Sequence, residues 1–181
     1  AIVNLLRQAE SPSAIVFCNT REAVRHLHTG LLDRGFAAVA LSGELGQSER
    51  NQALQALRDV RARVCVATDV AARGIDHPSL GLVIHAELPN DAETLQHRSG
   101  RTGRAGRKGV SVMLVPLSRR RKAERLLADA RIQPVWGAAP SADEIRALDR
   151  ERLLADPILT EEPAEEDLEV ARQLLANRSP E

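Results

Sequence analysis

The chain has 181 residues, 43% hydrophobic and 28% charged, with 25 basic and 25 acidic side chains that cancel to a formal net charge of zero. That apolar content suits a packed core, and no run comes near the ~18 consecutive apolar residues of a membrane span. Neutrality at face value argues against a nucleic-acid partner, but it sums unlike parts: 1–130 holds 19 basic and 13 acidic side chains, net +6, and 131–181 holds 6 and 12, net −6. Such asymmetry is itself a signal.

The opening Ala1-Ile2-Val3-Asn4-Leu5-Leu6 has no methionine, no basic n-region and no small-residue cleavage site, so no secretion signal is expected. Cys18 and Cys65 each sit in an apolar, strand-like run and read as buried reduced thiols, which points to the cytoplasm.

Short apolar runs alternate with segments of helical period. Ala14 to Cys18 reads as a buried strand, and Asn19, three residues before Glu22, as the cap of a helix whose Ala23, Val24, Leu27 and Leu31 share one face as far as Gly35. Ala37 to Leu41 is a second strand, followed by a helix over Gln47 to Val60 with Ala53, Leu54 and Leu57 as its stripe. Val64 to Ala67 is a third strand and runs into a loop over Thr68 to Pro78. Leu80 to His85 is the fourth, with Asn90 and Glu93 opening a short helix to Ser99. Val110 to Val115 is the fifth, and Ser118 caps a helix to Ala130.

Strands that alternate with helices, each apolar on both faces, specify an α/β fold with a parallel sheet covered by helices on both sides. Ligands of such sheets sit beyond the carboxyl ends of the strands. The polar, glycine-containing segments 19–22, 42–50, 68–76 and 97–108 are therefore where chemistry is expected.

After Ala130, Pro134, Gly137 and Pro140 punctuate a connector, and Ser141 with Glu144 forms a capping box for a helix ending before Pro157. An acidic linker over Glu161 to Asp167 leads to a helix with Leu168, Ala171, Leu174 and Leu175 on one side. Ser179-Pro180-Glu181 is a helix start with nothing after it, and the sequence reads as truncated at both ends. The acidic segment is either a flexible spacer or a set of helices that pack on a partner.

The densest chemical cluster is Gln96 to Lys108, in which Arg98, Arg101, Arg104, Arg107 and Lys108 are interleaved with Gly100, Gly103 and Gly106. Glycines let the backbone bend closely around a ligand while guanidinium forks point at it, an arrangement suited to phosphate. The second cluster, Ala67 to Asp76, comes directly after a strand; Gly74 permits close approach and Asp76 can accept hydrogen bonds from sugar hydroxyls. His26, His28, His77 and His85 show no metal-ligand spacing, so no metal site is expected in the chain.

Four pieces occur in order: Ile15-Val16-Phe17-Cys18-Asn19-Thr20; Ser42-Gly43 with Gln47 and Arg50; Ala67-Thr68-Asp69-Val70-Ala71-Ala72-Arg73-Gly74-Ile75-Asp76; and His97-Arg98-Ser99-Gly100-Arg101-Thr102-Gly103-Arg104. Together they resemble the C-terminal RecA-like domain of DEAD-box ATP-dependent RNA helicases over 1–130. More weakly, the acidic helical extension 131–181 resembles the segment after the helicase core in bacterial cold-shock and ribosome-assembly members, including the start of a dimerisation region. Ser42, Leu95, Ser99 and Ala86-Glu87 depart from the family's usual His, Tyr, Ile and Tyr-Asp.

The resemblance implies roles by position. Arg101 and Arg104 match arginine fingers that reach the phosphates of ATP, Gly74 and Asp76 the ribose contacts, and Arg73, His97 and Arg98 residues of interdomain coupling. Thr20, Gly43, Gln47, Arg50 and Thr68 match a grip on the RNA sugar-phosphate backbone, which positions without reading bases. The implied partners are RNA, ATP and an N-terminal RecA-like domain that also holds Mg²⁺; a homodimer through 131–181 is a further reading, and a membrane is not.

The sequence contains no Gly-x-x-x-x-Gly-Lys-Ser/Thr loop and no Asp-Glu-Ala-Asp box, so the chain alone is expected not to hydrolyse ATP. Half of a DNA helicase of the same superfamily and a non-catalytic RNA-binding or assembly module are the competing readings.

Overall fold

A computed structural model describes residues 1–9, 11–75, 80–103, 106, 108–160 and 164–176. It divides into two compact units, Ala1–Pro140 and Ser141–Glu181. The first contains, in order, α1 (Ile2–Gln8), β1 (Ser13–Phe17), α2 (Arg21–Leu32), β2 (Ala38–Leu41), α3 (Gln47–Arg58), β3 (Val64–Ala67), β4 (Leu80–His85), α4 (Ala92–Ser99), β5 (Val110–Met113), a 3₁₀ turn (Leu117–Arg119) and α5 (Arg120–Asp129).

The five strands form one parallel sheet in the order β2-β3-β1-β4-β5. Ile15 pairs with Cys65 on one side and Val83 on the other, and all five β1 residues are buried because both faces are covered. On one face Ile15, Phe17, Leu41, Cys65, Ala67 and Val83 pack with Ala53, Leu54 and Leu57 of α3. On the other, Ala14, Val16, Cys18, Val64, Val66, Leu82 and Ile84 meet Leu6 of α1 and Val24 and Leu31 of α2. Met113, in register with His85 and Phe17, packs with Leu95 of α4 and Ala123, Leu126 and Leu127 of α5. That register puts α4 and α5 on the α3 side.

Two helix starts are displaced by one residue from expectation. Thr20, not Asn19, caps α2 by accepting from the Ala23 N–H, and Asp91, not Asn90, caps α4 by accepting from the Thr94 N–H. Ser118 caps nothing: it lies in the 3₁₀ turn, and α5 starts after it without a side-chain cap. Helix α1 was not anticipated. Its C-terminal carbonyls, Leu6 O and Ala9 O, are held by the Arg63 guanidinium at 2.8 and 2.7 Å, which supplies the cap its own sequence lacks.

The connector 131–140, grouped with the extension on composition, belongs to the first unit. Ile132 N–H donates to Leu127 O, Asn4 Nδ2 donates to Pro140 O at 2.7 Å, and the Arg120 guanidinium lies 4.8 Å from the centre of the Trp136 ring.

The second unit holds α6 (Ala142–Leu154), α7 (Pro157–Thr160) and α8 (Glu165–Ala176). Both bonds of the Ser141–Glu144 capping box are formed. Leu168, Val170, Leu174 and Leu175 of α8 are exposed. Among the described residues no helix is long and apolar enough to cross a membrane.

Candidate functional site

Phe17, Leu41, Ala67 and His85 end their strands in one register row. The next segments of chain, 18–20, 42–46, 68–75 and 86–91, therefore emerge side by side at the carboxyl edge of the sheet. One buried side chain ties three of them together. Arg98, on the last turn of α4 and 1% exposed, donates from Nε and Nη2 to the two oxygens of Asp69 at 2.6 Å each. Its Nη2 also reaches Asn19 Oδ1 at 2.8 Å and its Nη1 reaches Glu87 O at 3.1 Å, while the guanidinium lies 5.2 Å from the Phe17 ring centre.

A buried charge is tolerable only when paired and hydrogen-bonded. Asp69, Asn19, Glu87 O and the aromatic face supply that, so Arg98 acts inside this unit as the joint between β1, β3, β4 and α4.

Asn19 completes the joint. Its N–H donates to Glu87 Oε2 at 2.6 Å and its Nδ2 to Leu88 O at 3.0 Å. Glu87, with burial as the larger cause, helps push the neighbouring Cys18 thiol up to about 12.

The loop after β3 is fastened from a different helix. Arg50 of α3 donates to Ala71 O at 2.5 Å and Arg73 O at 2.7 Å, and Ala71, Ala72 and Ile75 are buried beneath. Gly74 has φ +75°, a backbone angle that suits glycine, and a Cβ there would meet nothing within 4 Å, so the space beside it is open. Arg101 Nη1 donates to Ile75 O at 3.2 Å, which brings the expected phosphate-facing arginine beside the expected sugar-facing glycine.

Within the segment after Arg98, Thr102 departs from the carboxyl-edge expectation. Helix α4 starts beyond the end of β4 and runs back across the face, so Thr102 Oγ1 donates to Leu80 O, at the first residue of β4, at 2.5 Å. Gly109 closes this loop: a Cβ there would run into Thr102 Oγ1 and Gly103 N. Arg104 and Asp76 lie outside the described residues.

The expected RNA contacts lie past the ends of β1, β2 and β3, three adjacent strands spaced by about 4.8 Å. Thr20 is exposed at the start of α2, Gln47 is exposed at the start of α3 with its Nε2 on Asn51 Oδ1 at 3.0 Å, and Thr68 is half-buried with its N–H on Leu41 O. Beside Gly43 stands Arg21, paired to Glu44 at 2.9 Å; a Cβ on Gly43 would lie 3.5 Å from Arg21 Nη2. Arg50 commits two donors to the β3 loop. His97 is exposed and 3.8 Å from Glu93, and the Arg73 side chain is exposed.

Behind Phe17 lies a small polar cluster. The fully buried His85 has Nε2 3.1 Å from Ser111 Oγ and 3.3 Å from Ser99 Oγ, and the hydroxyls are 3.0 Å apart. Burial, aided by the Arg98 charge, pushes the His85 imidazole down to about 4, so it is neutral at pH 7. Among the described residues no group of three His, Cys, Asp or Glu side chains could hold a metal ion.

Sequence reasoning gave no role to Arg21, Asp69 or Glu87, and read Asn19 as a cap. Asp69 stood inside a quoted motif. The importance of Glu87 and Asn19 appears only once strand order places β1 between β3 and β4.

Residues 1–106 match the helicase conserved C-terminal domain. The chain is 46% identical to the ATP-dependent RNA helicase SrmB of Escherichia coli over 114 residues, 63% of this chain and 26% of SrmB. It is 37% identical to DbpA of the same organism over 147 residues, 81% of this chain and 32% of DbpA. Thus it spans about a quarter to a third of these two curated relatives. Among solved structures, the E. coli DEAD-box protein SrmB bound to regulator of ribonuclease activity A matches with TM-score 0.67 and 40% identity, covering 80% of this chain and 83% of that one. Yeast Dbp5 bound to RNA and ADP BeF3 matches with TM-score 0.72 and 28% identity, covering 83% and 40%.

Proposed function

The chain belongs to the helicase conserved C-terminal domain family, as the RecA-like lobe of a DEAD-box RNA helicase, and on that premise we propose that it is the half of an ATP-dependent RNA helicase that supplies arginine fingers and part of the RNA grip. The observation that supports this reading is the bond from Arg101 to the Ile75 carbonyl, one residue after a Gly74 whose side-chain position is open. A guanidinium suits phosphate and an open glycine suits close approach of a sugar.

When ATP and Mg²⁺ are bound, they supply the transferring phosphoryl group and the cation that neutralises it; the metal's ligands belong to the N-terminal RecA-like domain. Arg101 and Arg104 then donate to phosphate oxygens, where bidentate donors stabilise charge that builds in the transition state. Asp76 accepts from the ribose hydroxyls and Gly74 lets the sugar approach. Arg73, His97 and Arg98 transmit contacts between the two domains, Arg98 from within.

Thr20, the Gly43 amide, Gln47, Arg50 and Thr68 hold the RNA backbone, with the guanidinium N–H groups of Arg50 that are not on the β3 loop serving phosphates. Binding of this kind is sequence-independent and weakens with salt. The exposed apolar side chains of α8 support packing of the acidic unit against a further surface, a second copy being one; a sedimentation mass of one chain at every concentration would exclude dimerisation by this chain.

The deciding experiment measures RNA-stimulated ATP turnover by residues 1–181 alone and by the polypeptide in which they come after an N-terminal RecA-like domain. No turnover is expected from the first. In the second, Arg101→Ala and Arg104→Ala each lower turnover by roughly 10³ while RNA binding is retained. Turnover by 1–181 alone, or unchanged turnover in both variants, would overturn the reading.

A further inference from the structure

Asn19 uses every polar group of its side chain without capping a helix. The side-chain Nδ2 goes to Leu88 O and Oδ1 receives Arg98; the backbone N–H goes to Glu87, while the free N–H of α2 goes to Thr20. A side-chain amide bonded at both ends, to Leu88 O and to Arg98, is held in one rotamer, and with the backbone N–H on Glu87 it holds two other elements in turn.

Its neighbours in the chain matter as much. Thr20, the next residue, begins α2 at the proposed RNA grip, and the backbone between the two is a single peptide unit. On the other side, Arg98 and Arg101 are joined within one turn, the Arg101 N–H donating to Arg98 O at 3.1 Å. Arg98 also grips Asp69, the residue after Thr68. A guanidinium that leads to the finger loop is thus bonded to the immediate neighbours of two proposed RNA contacts on different strands.

We infer that Asn19 is a positioning residue that couples RNA occupancy at Thr20 to the placement of Arg101, acting through Arg98; the inference rests on the function proposed above. Of its three bonds, the one to Arg98 carries the coupling. The other two fix the loop after β4 against the end of β1. Around the joint the charged groups are Arg98, Asp69 and Glu87, so the asparagine is its neutral element.

The test uses the two-lobed polypeptide and measures RNA affinity without nucleotide, ATP turnover at saturating RNA, and thermal midpoint. Asn19→Ala removes both side-chain bonds. It is expected to leave RNA affinity within about twofold and to lower turnover at saturating RNA by about tenfold to a hundredfold, the scale of a misplaced catalytic group. Asn19→Asp keeps an acceptor for Arg98 but sets a carboxylate oxygen against Leu88 O beside Glu87 and Asp69, and is expected to recover only part of the turnover lost in Asn19→Ala. If Asn19→Ala does not fold, Asn19→Ser, too short to reach Arg98, takes its place with the same expectation.

Wild-type turnover in Asn19→Ala, an Asp variant as slow as the Ala variant, or losses of turnover and RNA affinity that fall together with the thermal midpoint would each overturn the inference. A wild-type protein that shows no RNA-stimulated turnover would overturn the proposed function, and this inference with it. That result is read before any variant is compared, so the two failures are distinct.

Discussion

Arg98 and Asp69 meet fork to fork, with two nitrogens of the guanidinium each 2.6 Å from a different carboxylate oxygen and the arginine 1% exposed against 39% for the aspartate. Removing one partner of such a pair leaves the other without compensation. Arg98→Ala is expected to cost about 3 kcal/mol, the low end for buried pairs because Asp69 is partly solvated. Arg98→Lys should recover little of that, since an ammonium cannot match the fork. Urea unfolding of the chain measures both, and a loss under about 1 kcal/mol for the alanine variant would contradict the assignment.

His85 makes stability fall with acid. Its folded-state value is near 4, whereas an unfolded histidine titrates near ~6.5. Between those values the unfolded chain holds a proton that the folded chain lacks, so stability is full above about pH 6.5 and drains away as pH drops toward 4. The full span is worth about 3 kcal/mol. Urea unfolding from pH 7 to 4.5 is expected to show a shallower decline for His85→Gln than for wild type, by about 2 kcal/mol. Parallel profiles would show that this histidine is not the source.

Cys18 and Cys65 face opposite helical layers and are both buried, and burial first of all pushes each thiol up to about 12. Because the thiolate is the reacting form, neither should be alkylated in the folded chain at pH 8. Mass spectrometry after iodoacetamide treatment is expected to find no label in buffer and two labels in urea. Rapid labelling of native protein would contradict the packing around β1 and β3.

Gly109 sits where an added Cβ would run into Thr102 Oγ1 and Gly103 N. Gly109→Ala forces Thr102 and Gly103 to move, at a cost of about 1–3 kcal/mol. Gly137→Ala, where a Cβ meets nothing within 4 Å, serves as the control and should change stability by less than about 0.5 kcal/mol. Equal melting temperatures for the two variants would contradict the contact.

The central strands β1, β3 and β4 were legible because they are apolar on both faces, the pattern of a doubly covered parallel sheet. The Ser141–Glu144 box was legible because its bonds are local. Asn19 misled for the opposite reason. Cap spacing fitted it, but its amide is committed to Leu88 and Arg98, partners far along the chain, and Thr20 was left to take the local bond. Helix α1 escaped notice because it is seven residues long and is finished by Arg63, which arrives from the start of β3. The composition of 97–108 and of the β3 loop is what led to the phosphate reading proposed above. That Arg50, Arg98 and Arg101 also build the loops they serve came from contacts between elements, which no spacing along the chain encodes.

The sheet order has a consequence for how the protein is made. β1 lies at the centre, yet its register partners Cys65 and Val83 come from strands translated much later. On the ribosome the first strand emerges with both edges unsatisfied and must wait, since pairings between distant segments form late. During that interval Ala14 to Phe17 is a sticky, uncharged ribbon, the kind of segment that nascent-chain chaperones shield. The order of synthesis and the order of assembly run differently in this lobe, and β4 is the segment whose arrival closes the gap.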